Sequence, residues 1–187
     1  MTKFRRLLSA GRIVLVAHQK PDGDALGAVL ALLLWLDSAG KDVRPFCASP
    51  VPEEYDYLCG VRRFSADPQI LRAADLVCVL DSGGLKFSGA GDGLGEADRE
   101  KIINIDHHAV NEMYGIINLV LPAVSSASEI IYGFFTAKGV RITPDIATAL
   151  LTGLINDTSM FVNAATKEST LAVAGELLRA GAIQFDI

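Results

Sequence analysis

Residues 102–108 read IINIDHH, and they give the clearest indication of the fold in this sequence. Its first four residues form a short apolar run of the kind found in buried strands, and Asp106, His107 and His108 follow directly. In open α/β sheets, ligands bind at the carboxyl ends of the strands. The stretch therefore predicts a strand that carries carboxylate and imidazole side chains to a ligand-binding edge of a sheet.

Three other apolar runs have the same form. Residues 12–17, 43–47 and 76–80 are short and largely apolar, as the strands of a buried parallel sheet are. His18 follows the first run and Asp81 follows the third. Helical segments separate the runs, which implies right-handed crossovers. We therefore predict an α/β fold in which a mostly parallel sheet is flanked by helices.

Helix boundaries are marked by capping residues, glycine and proline. Ser126 and Glu129 have the spacing of a capping box, and Thr143 precedes a proline that suits a first helical turn. Gly40 suits the left-handed position after a helix. The glycine-rich segment 83–95 is interpreted as a surface linker, with a mobile substrate loop as the alternative. The predicted helices span residues 24–39, 52–59, 68–73, 126–138, 143–157 and 167–180.

Composition argues against several classes of protein. Half of the 187 residues are hydrophobic, which argues against disorder, and a net charge of −5 provides no broad basic surface for long duplex nucleic acid. The longest apolar stretch, 25–36, is too short to cross a bilayer, and the run 13–17 is too short for a secretion signal. Cys47, Cys59 and Cys78 lack C-x-x-C spacing and predict buried free thiols in a reducing compartment. We expect a soluble cytoplasmic protein.

The first turn after a strand brings three ionisable groups together. His18, Asp22 and Asp24 lie between the first strand and its helix, where Pro21 and Gly23 bend the chain so that both carboxylates can face inward. A carboxylate before a helix commonly caps it and is stabilised by the helix N-terminus. Capping and metal binding are therefore alternative roles for Asp22 and Asp24.

Three residues elsewhere in the chain favour metal binding. Asp81, His107 and Asp157 end or follow other apolar segments, so the predicted fold brings them to the same edge of the sheet. Four aspartates and two histidines suit two divalent ions about 3.5–4 Å apart, with one carboxylate bridging. Oxygen and nitrogen ligands without thiolate favour Mn²⁺, Mg²⁺ or Fe²⁺ over structural Zn²⁺. Such ions lower the pKa of a water and neutralise phosphoryl oxygens, which is what phosphoester hydrolysis requires.

His108 has two alternative roles. Neighbouring residues at a strand end point in different directions, so His108 is expected to face the other side of the site if His107 binds metal. There it either contacts a phosphate or makes a structural hydrogen bond.

The order and spacing of these residues resemble the four motifs of the DHH phosphoesterase superfamily. The flanking sequences HQKPDGDALG, NIDHH, SSASE and GLINDTSMF are similar to those of the branch that contains bacterial nanoRNases, which degrade very short RNA, and pAp phosphatases. The similarity covers almost the whole chain. The motifs are His18-x-x-x-Asp22-x-Asp24, Asp81, Asp106-His107-His108 and Asp157.

The resemblance implies a DHH domain, with a sheet of about five strands, over residues 1–180. It also implies that Asp81 bridges two ions, and that Asp106 orients ligands without touching either ion. The ligands it implies are His18, Asp22 and Asp81 for the first ion, and Asp24, Asp81, His107 and Asp157 for the second.

The sequence departs from the family pattern in two places. Ser159 stands where family members typically have glycine, and we expect the change to be tolerated because Asp157 is retained. Relatives in this branch also carry a second, DHHA1-type domain whose glycine-rich, histidine-containing motif closes over the substrate. This sequence has no such motif. We expect the chain to be the catalytic half of a longer protein, with residues 181–187 beginning a linker; a substrate held without that domain is the alternative.

The leading hypothesis is a Mn²⁺-dependent phosphoesterase that hydrolyses short oligoribonucleotides, and also pAp to AMP. Asp81, Asp106 and His108 are its predicted catalytic residues, and His108 also binds substrate. Alternative enzymes are a cyclic-dinucleotide phosphodiesterase, a single-strand DNA exonuclease and a pyrophosphatase or polyphosphatase. A nucleotide-binding module without turnover, and an α/β domain with merely solvated acidic caps, are the non-enzymatic hypotheses. No membrane partner is expected, and a homodimer is left open because exposed apolar surface could drive association.

Overall fold

Five strands form one parallel sheet in a computed structural model that describes residues 5–183. The strand order is β2-β1-β3-β4-β5, and every neighbouring pair is parallel. This architecture confirms the predicted α/β fold with helices on both faces of the sheet. The strands are β1 (Arg12–Val16), β2 (Asp42–Phe46), β3 (Leu76–Leu80), β4 (Ile102–Asp106) and β5 (Ile117–Val120). The helices are α1 (Arg5–Ser9), α2 (Gly23–Ser38), α3 (Gln69–Ala73), α4 (Ala127–Lys138), α5 (Pro144–Asp157) and α6 (Glu168–Arg179).

Alternate strand residues face two separate cores. In β1, Ile13 and Leu15 pack among α2, α4 and α5, whereas Val14 and Val16 pack against α3 and the segment 85–94. The prediction that segment 83–95 is a surface linker is therefore wrong, because Ala90 and Leu94 are buried in the second core. Because both faces are covered, β1, β3 and β4 are buried along nearly their whole length. The sheet edge that carries the carboxyl ends of these strands is therefore held rigidly from both sides.

Helices α2 and α5 pack unusually closely. A Cβ atom at Gly27 would overlap the carbonyl oxygen of Ala149 and lie 3.2 Å from the backbone nitrogen of Gly153. A Cβ at Gly153 would lie 2.5 Å from Asp24 Oδ1 and would overlap Ser128 Oγ. The two glycines let the backbones approach, and this approach places the end of α5 beside the start of α2.

Several local predictions need correction. The segment predicted as helix 52–59 forms only a 3₁₀ turn at Glu53–Tyr55, continued by further i to i+3 backbone hydrogen bonds. The fifth strand, Ile117–Val120, lies half-buried at the edge of the sheet and was not located by the apolar pattern. Ser126 accepts from the Glu129 N–H as predicted, but the Glu129 carboxylate binds Ser125, so the capping box is only half formed.

The cysteines are only partly as predicted. All three are free thiols, and Cys47 and Cys78 are buried, but Cys59 is exposed. Cys59 precedes the left-handed Gly60 in a turn at the surface, where the apolar neighbours in the sequence do not cover it.

None of the helices in residues 5–183 is both long enough and apolar enough to cross a membrane. The predicted features of residues 184–187, including most of the expected linker, lie outside the described residues.

Candidate metal centre

The carboxyl ends of three adjacent strands create the site. Strands β1, β3 and β4 are neighbours in register, so His18, Asp81 and His107 emerge at one edge of the sheet. Asp24 at the start of α2 and Asp157 at the end of α5 reach the same place from the helical layer. All six ligands predicted from the sequence, including Asp22, are brought together in two groups that share Asp81, each with ligand atoms within 4.8 Å of one another. A third group with the same spacing joins Asp81 and His107 to Asp106 and His108.

The first group consists of His18, Asp22 and Asp81. His18 Nε2 lies 3.7 Å from both Asp22 Oδ1 and Asp81 Oδ2. Its other ring nitrogen, Nδ1, donates a hydrogen bond to the carbonyl oxygen of Gln19 at 2.8 Å. This bond fixes the ring and directs Nε2 at the carboxylates, which is the usual way in which a metal-binding histidine is oriented.

The second group consists of Asp24, Asp81, His107 and Asp157. His107 Nε2 lies 2.9 Å from Asp157 Oδ2, 3.4 Å from Asp81 Oδ1 and 3.9 Å from Asp24 Oδ2. One imidazole nitrogen thus faces three carboxylates from three different elements. Such convergence of like charges is costly unless a cation or a proton lies among them.

The two aspartates of the first turn are held differently. Asp22 caps α2, since its Oδ1 accepts from the backbone N–H groups of Asp24 and Ala25 at 3.1 Å. Asp24 is fully buried and accepts from the first turn of α4 instead, from Ala127 N at 2.6 Å and Ser128 N at 2.9 Å. The helix α4 N-terminus therefore stabilises the Asp24 carboxylate in its ionised form. Against this, burial and then the charges of Asp81 and Asp157 raise the pKa of Asp24 well above its usual range.

Asp81 is the buried centre of the cluster. It occupies the left-handed region at φ +55°, which aspartate tolerates better than most residues, and its N–H donates to the carbonyl of Ile105 at 2.9 Å. Burial would raise the pKa of Asp81, but its pairs with His107 and His18 outweigh burial and hold that pKa well below the usual range. Asp81 is therefore ionised under all ordinary conditions.

Two buried atoms of the cluster lack hydrogen-bond partners. In the described part of the chain, Asp81 Oδ1 and His107 Nε2 make no hydrogen bond, although Asp157 Oδ2 is close to the latter. Buried polar atoms are normally satisfied, so atoms that lack partners in one place indicate a missing ligand. Carboxylate oxygens and an imidazole nitrogen aimed at one point fit a divalent cation.

Protons occupy the cluster when metal is absent. Burial alone would lower the pKa of His18, but the carboxylates of Asp22 and Asp81, each 3.7 Å away, have the larger effect and raise the pKa to about 10. Burial alone would also lower the pKa of His107, but the carboxylates of Asp157 and Asp81 have the larger effect and raise this pKa to about 11. Both imidazoles are therefore protonated at neutral pH in the metal-free chain.

The apparent affinity for Mn²⁺ is expected to rise steeply with pH. An imidazole must lose its proton before it binds metal, and both pKa values lie above the physiological range. Between pH 6 and 9 each ion that displaces one imidazole proton should bind about tenfold more tightly per pH unit. Calorimetric titration of the metal-free chain with Mn²⁺ in buffers of different ionisation enthalpy measures both affinity and proton release. An affinity that stays constant over this range would show that the histidines are not ligands.

A hydrogen-bonded network lies behind the DHH motif. Asp106 is fully buried, and its Oδ1 accepts from His108 Nδ1 at 2.7 Å and from His107 N at 2.9 Å. Its Oδ2 accepts from Asn111 Nδ2 at 2.6 Å, and the Asn111 Oδ1 accepts from Asn104 Nδ2 at 2.8 Å. Burial opposes ionisation of Asp106, but His108 and then Asn111 outweigh it and lower its pKa. Asp106 thus accepts hydrogen bonds from both histidines and holds them in place.

The side chains of His107 and His108 lie next to each other but differ in exposure. Their ring centroids are 4.6 Å apart, and 14% of the His107 side chain is exposed against 52% for His108. His108 Nδ1 also lies 3.7 Å from Asp81 Oδ1. Because Nδ1 is committed to Asp106, Nε2 is the His108 atom available to a ligand.

The sequence did not predict that Asn111 and Asn104 support Asp106. Asn104 interrupts the apolar run of β4, and a polar residue inside a buried strand is the signal that could have indicated it. The position of Asn111 depends on the loop after His108, which local patterns do not determine. The interpretation also missed Phe87, whose ring lies 5.4 Å from that of His18 and is 61% exposed.

Ser159 lies in the left-handed region at φ +49°. Glycine adopts this conformation without steric cost, so glycine would also suit the position.

Comparison with known proteins gives relatives of several activities. Residues 12–154 match the DHH family, N-terminal domain. The bifunctional oligoribonuclease and PAP phosphatase NrnA of Thermus thermophilus is 31% identical over 91% of this chain and 51% of its own length. A probable manganese-dependent inorganic pyrophosphatase of Streptococcus mutans is 29% identical over 90% of this chain and 55% of its own length.

A similar fold occurs in a solved structure. An exopolyphosphatase-related protein from Bacteroides fragilis superposes with a TM-score of 0.90 at 28% identity, over 97% of this chain and 56% of that one. The chain spans about half the length of the curated relatives it matches.

Proposed function

Because the chain belongs to the DHH family, we propose that it is a metal-dependent phosphohydrolase of short oligoribonucleotides, which also converts pAp to AMP. The observation that supports this most is the pair of ligand groups that share the buried Asp81. The similarity to the Thermus thermophilus oligoribonuclease and PAP phosphatase supports the nucleotide substrate.

The cofactor that we propose is a pair of divalent ions, with Mn²⁺ preferred and Mg²⁺ or Fe²⁺ as alternatives. His18, Asp22 and Asp81 would hold one ion, and Asp24, Asp81, His107 and Asp157 the other. When bound, divalent ions lower the pKa of water and offset the negative charge of phosphoryl oxygens. The manganese-dependent pyrophosphatase among the relatives supports the choice of metal.

His108 is proposed to bind the phosphate of the substrate. Its ring is half exposed beside the buried ligands, and hydrogen bonding to Asp106 raises its pKa and favours the cationic form. A cationic imidazole donates to a phosphate oxygen in a charge-assisted hydrogen bond. Asp106 would hold the ring in place and would not itself contact the substrate.

Asn111→Ala is expected to lower kcat by about 10- to 100-fold without changing the amount of Mn²⁺ bound. Asn111 bridges Asp106 and Asn104, so its loss frees Asp106 to move and lets the His108 ring turn. Steady-state kinetics, metal analysis and the pH profile of kcat together separate this effect from general destabilisation. Gln69→Ala, an exposed amide on α3, is the matched control and should leave all three unchanged. A variant of Asn111 with the wild-type pH profile and rate would show that Asp106 needs no such support.

A pyrophosphatase is the second candidate, and the similarity to manganese-dependent pyrophosphatases favours it. Pyrophosphate and phosphodiesters place the same demands on the metal ligands, because both develop negative charge on phosphoryl oxygens. The two candidates differ in whether the protein contacts a nucleoside.

A second, C-terminal domain and a homodimer are further predictions for the whole protein. The greater length of the curated relatives supports the second domain.

Product analysis tests the proposed function. The chain is incubated with Mn²⁺ and a diribonucleotide, pAp, a cyclic dinucleotide or pyrophosphate, and the products are separated by chromatography. We expect mononucleotide from the diribonucleotide and AMP from pAp, both abolished by a chelator. Phosphate from pyrophosphate with no mononucleotide from any substrate would favour the second candidate instead.

A further inference from the structure

An open cavity of about 390 Å³ lies beside the metal centre, at the carboxyl end of α5. Asn156 lines it, and the next residue is the candidate ligand Asp157. Gly23, which lies between Asp22 and Asp24, packs against the same wall: a Cβ there would lie 2.9 Å from Asn156 Cβ. The cavity and the ligand cluster therefore share a wall.

Half of the residues that line the cavity are aromatic or aliphatic. Tyr55, Tyr57, Ile155 and Met160 line it, together with Thr152 and Asn156. The Tyr57 hydroxyl lies 3.0 Å from Thr152 Oγ1, which itself donates to the carbonyl of Thr148, so Tyr57 donates to Thr152. A ring fixed in this way loses little conformational freedom when a planar ligand packs on it.

Met160 lines the cavity from a turn with an uncommon backbone conformation. Ser159, Met160 and Phe161 all have left-handed conformations, with φ of +49°, +60° and +67°. Such conformations are unfavourable for residues other than glycine and tend to occur at functional sites. A hydrogen bond from Met160 N to the carbonyl of Ile155 at 2.8 Å holds the turn, yet 74% of Met160 remains exposed. The turn therefore keeps a large apolar side chain at the cavity.

The charge of the cavity disfavours phosphate. Glu54 is the charged residue that lines it, and the described lining residues include no lysine or arginine. Burial, and then the charges of Glu54 and Asp22, raise the pKa of Tyr55 to about 12, so its hydroxyl stays neutral and can donate a hydrogen bond. A neutral planar group with polar edges suits these walls, whereas an anion does not.

We infer that this cavity binds the base of a nucleotide whose phosphate lies at the metal centre. Bases stack on aromatic side chains regardless of sequence, and Asn156 and Tyr55 offer polar groups to the base edge. The inference rests on the proposed function, since it concerns the ligand of the same site. It assigns the chain to nucleotide substrates and not to pyrophosphate, which has no group to fill the cavity.

Equilibrium binding of AMP and of ribose 5-phosphate to the Mn²⁺-loaded chain tests the inference. The two ligands share the phosphate and the ribose, so the ratio of their Kd values reports the base alone. We expect AMP to bind about tenfold or more tightly than ribose 5-phosphate, in line with the usual effect of stacking one base. Met160→Ala and Tyr55→Leu should each reduce this ratio about fivefold and leave the Kd of ribose 5-phosphate unchanged.

Leu171→Ala is the matched control, since Leu171 is a 54% exposed apolar residue on α6 that does not line the cavity. Equal Kd values for the two ligands in the wild type, or an unchanged ratio in both cavity variants, would overturn the inference. The outcome is separate from that of the proposed function. If the chain hydrolyses the diribonucleotide but does not prefer AMP to ribose 5-phosphate, only the base-binding role of the cavity is overturned. If the chain prefers AMP but does not hydrolyse the diribonucleotide, only the proposed activity is overturned.

Discussion

Asp81→Asn is expected to reduce turnover on the order of 10³-fold or more, because the same carboxylate serves both proposed ions. Its two oxygens face different histidines, with Oδ2 at 3.7 Å from His18 and Oδ1 at 3.4 Å from His107. An amide keeps the shape but replaces one oxygen by a donor and removes the charge. We therefore expect the variant to lose its tightly bound Mn²⁺, as measured by metal analysis. We also expect it to lose hydrolysis, as measured by product formation.

The substitution should leave the fold in place. Asp81 has a left-handed backbone at φ +55°, and asparagine is, with aspartate, among the residues that tolerate this conformation. The circular dichroism spectrum of Asp81→Asn should match that of the wild type. Asp42→Asn is the matched control, because it removes one exposed carboxylate at the start of β2, at the other edge of the sheet. Substantial hydrolysis by Asp81→Asn would eliminate a mechanism that depends on a shared carboxylate.

Gly27→Ala is expected to have the largest effect on stability. Alanine normally stabilises a helix relative to glycine, but here the added methyl group would overlap the backbone carbonyl of Ala149 on α5. A backbone atom cannot move aside without separating the two helices. We expect the free energy of unfolding to fall by roughly 2 kcal/mol, which for a chain of this length lowers Tm by about 4–8 °C.

Gly133→Ala is expected to have the opposite effect and to increase the stability of the protein. Gly133 lies exposed within α4, and a Cβ there would meet no atom within 4 Å among the residues that the structure describes. The intrinsic preference of alanine for helix should then act alone and raise stability by about 0.5–1 kcal/mol. Thermal unfolding of both variants, each in the metal-free state, gives the comparison. If Gly27→Ala were as stable as Gly133→Ala, the close approach of α2 and α5 would not exist in solution.

The strands and their ligands could be predicted from the sequence because both depend on local pattern. The runs at 13–17 and 76–80 are apolar throughout, and His18 and Asp81 follow them directly. Parallel topology then brings His18, Asp81 and His107 to one edge without any knowledge of side-chain packing. The resemblance to the DHH family added the division of these residues into two groups.

The remaining features depend on contacts between distant parts of the chain. The support of Asp24 by the first turn of α4 joins residues more than 100 positions apart, and no local pattern indicates it. The glycines at 27 and 153 look like ordinary helix-weakening residues until the two helices are placed together. The strand Ile117–Val120 was missed because it is only four residues long and half-buried, so its apolar signal is weak.

Electron paramagnetic resonance of the chain loaded with Mn²⁺ tests the shared site most directly. Two Mn²⁺ ions that share Asp81 should be exchange-coupled, so a coupled multiline spectrum should develop as the second equivalent is added. In Asp81→Asn the coupled signal should be absent. A six-line spectrum of isolated Mn²⁺ at every loading of the wild type, or saturation at one ion per chain, would contradict the two-ion centre.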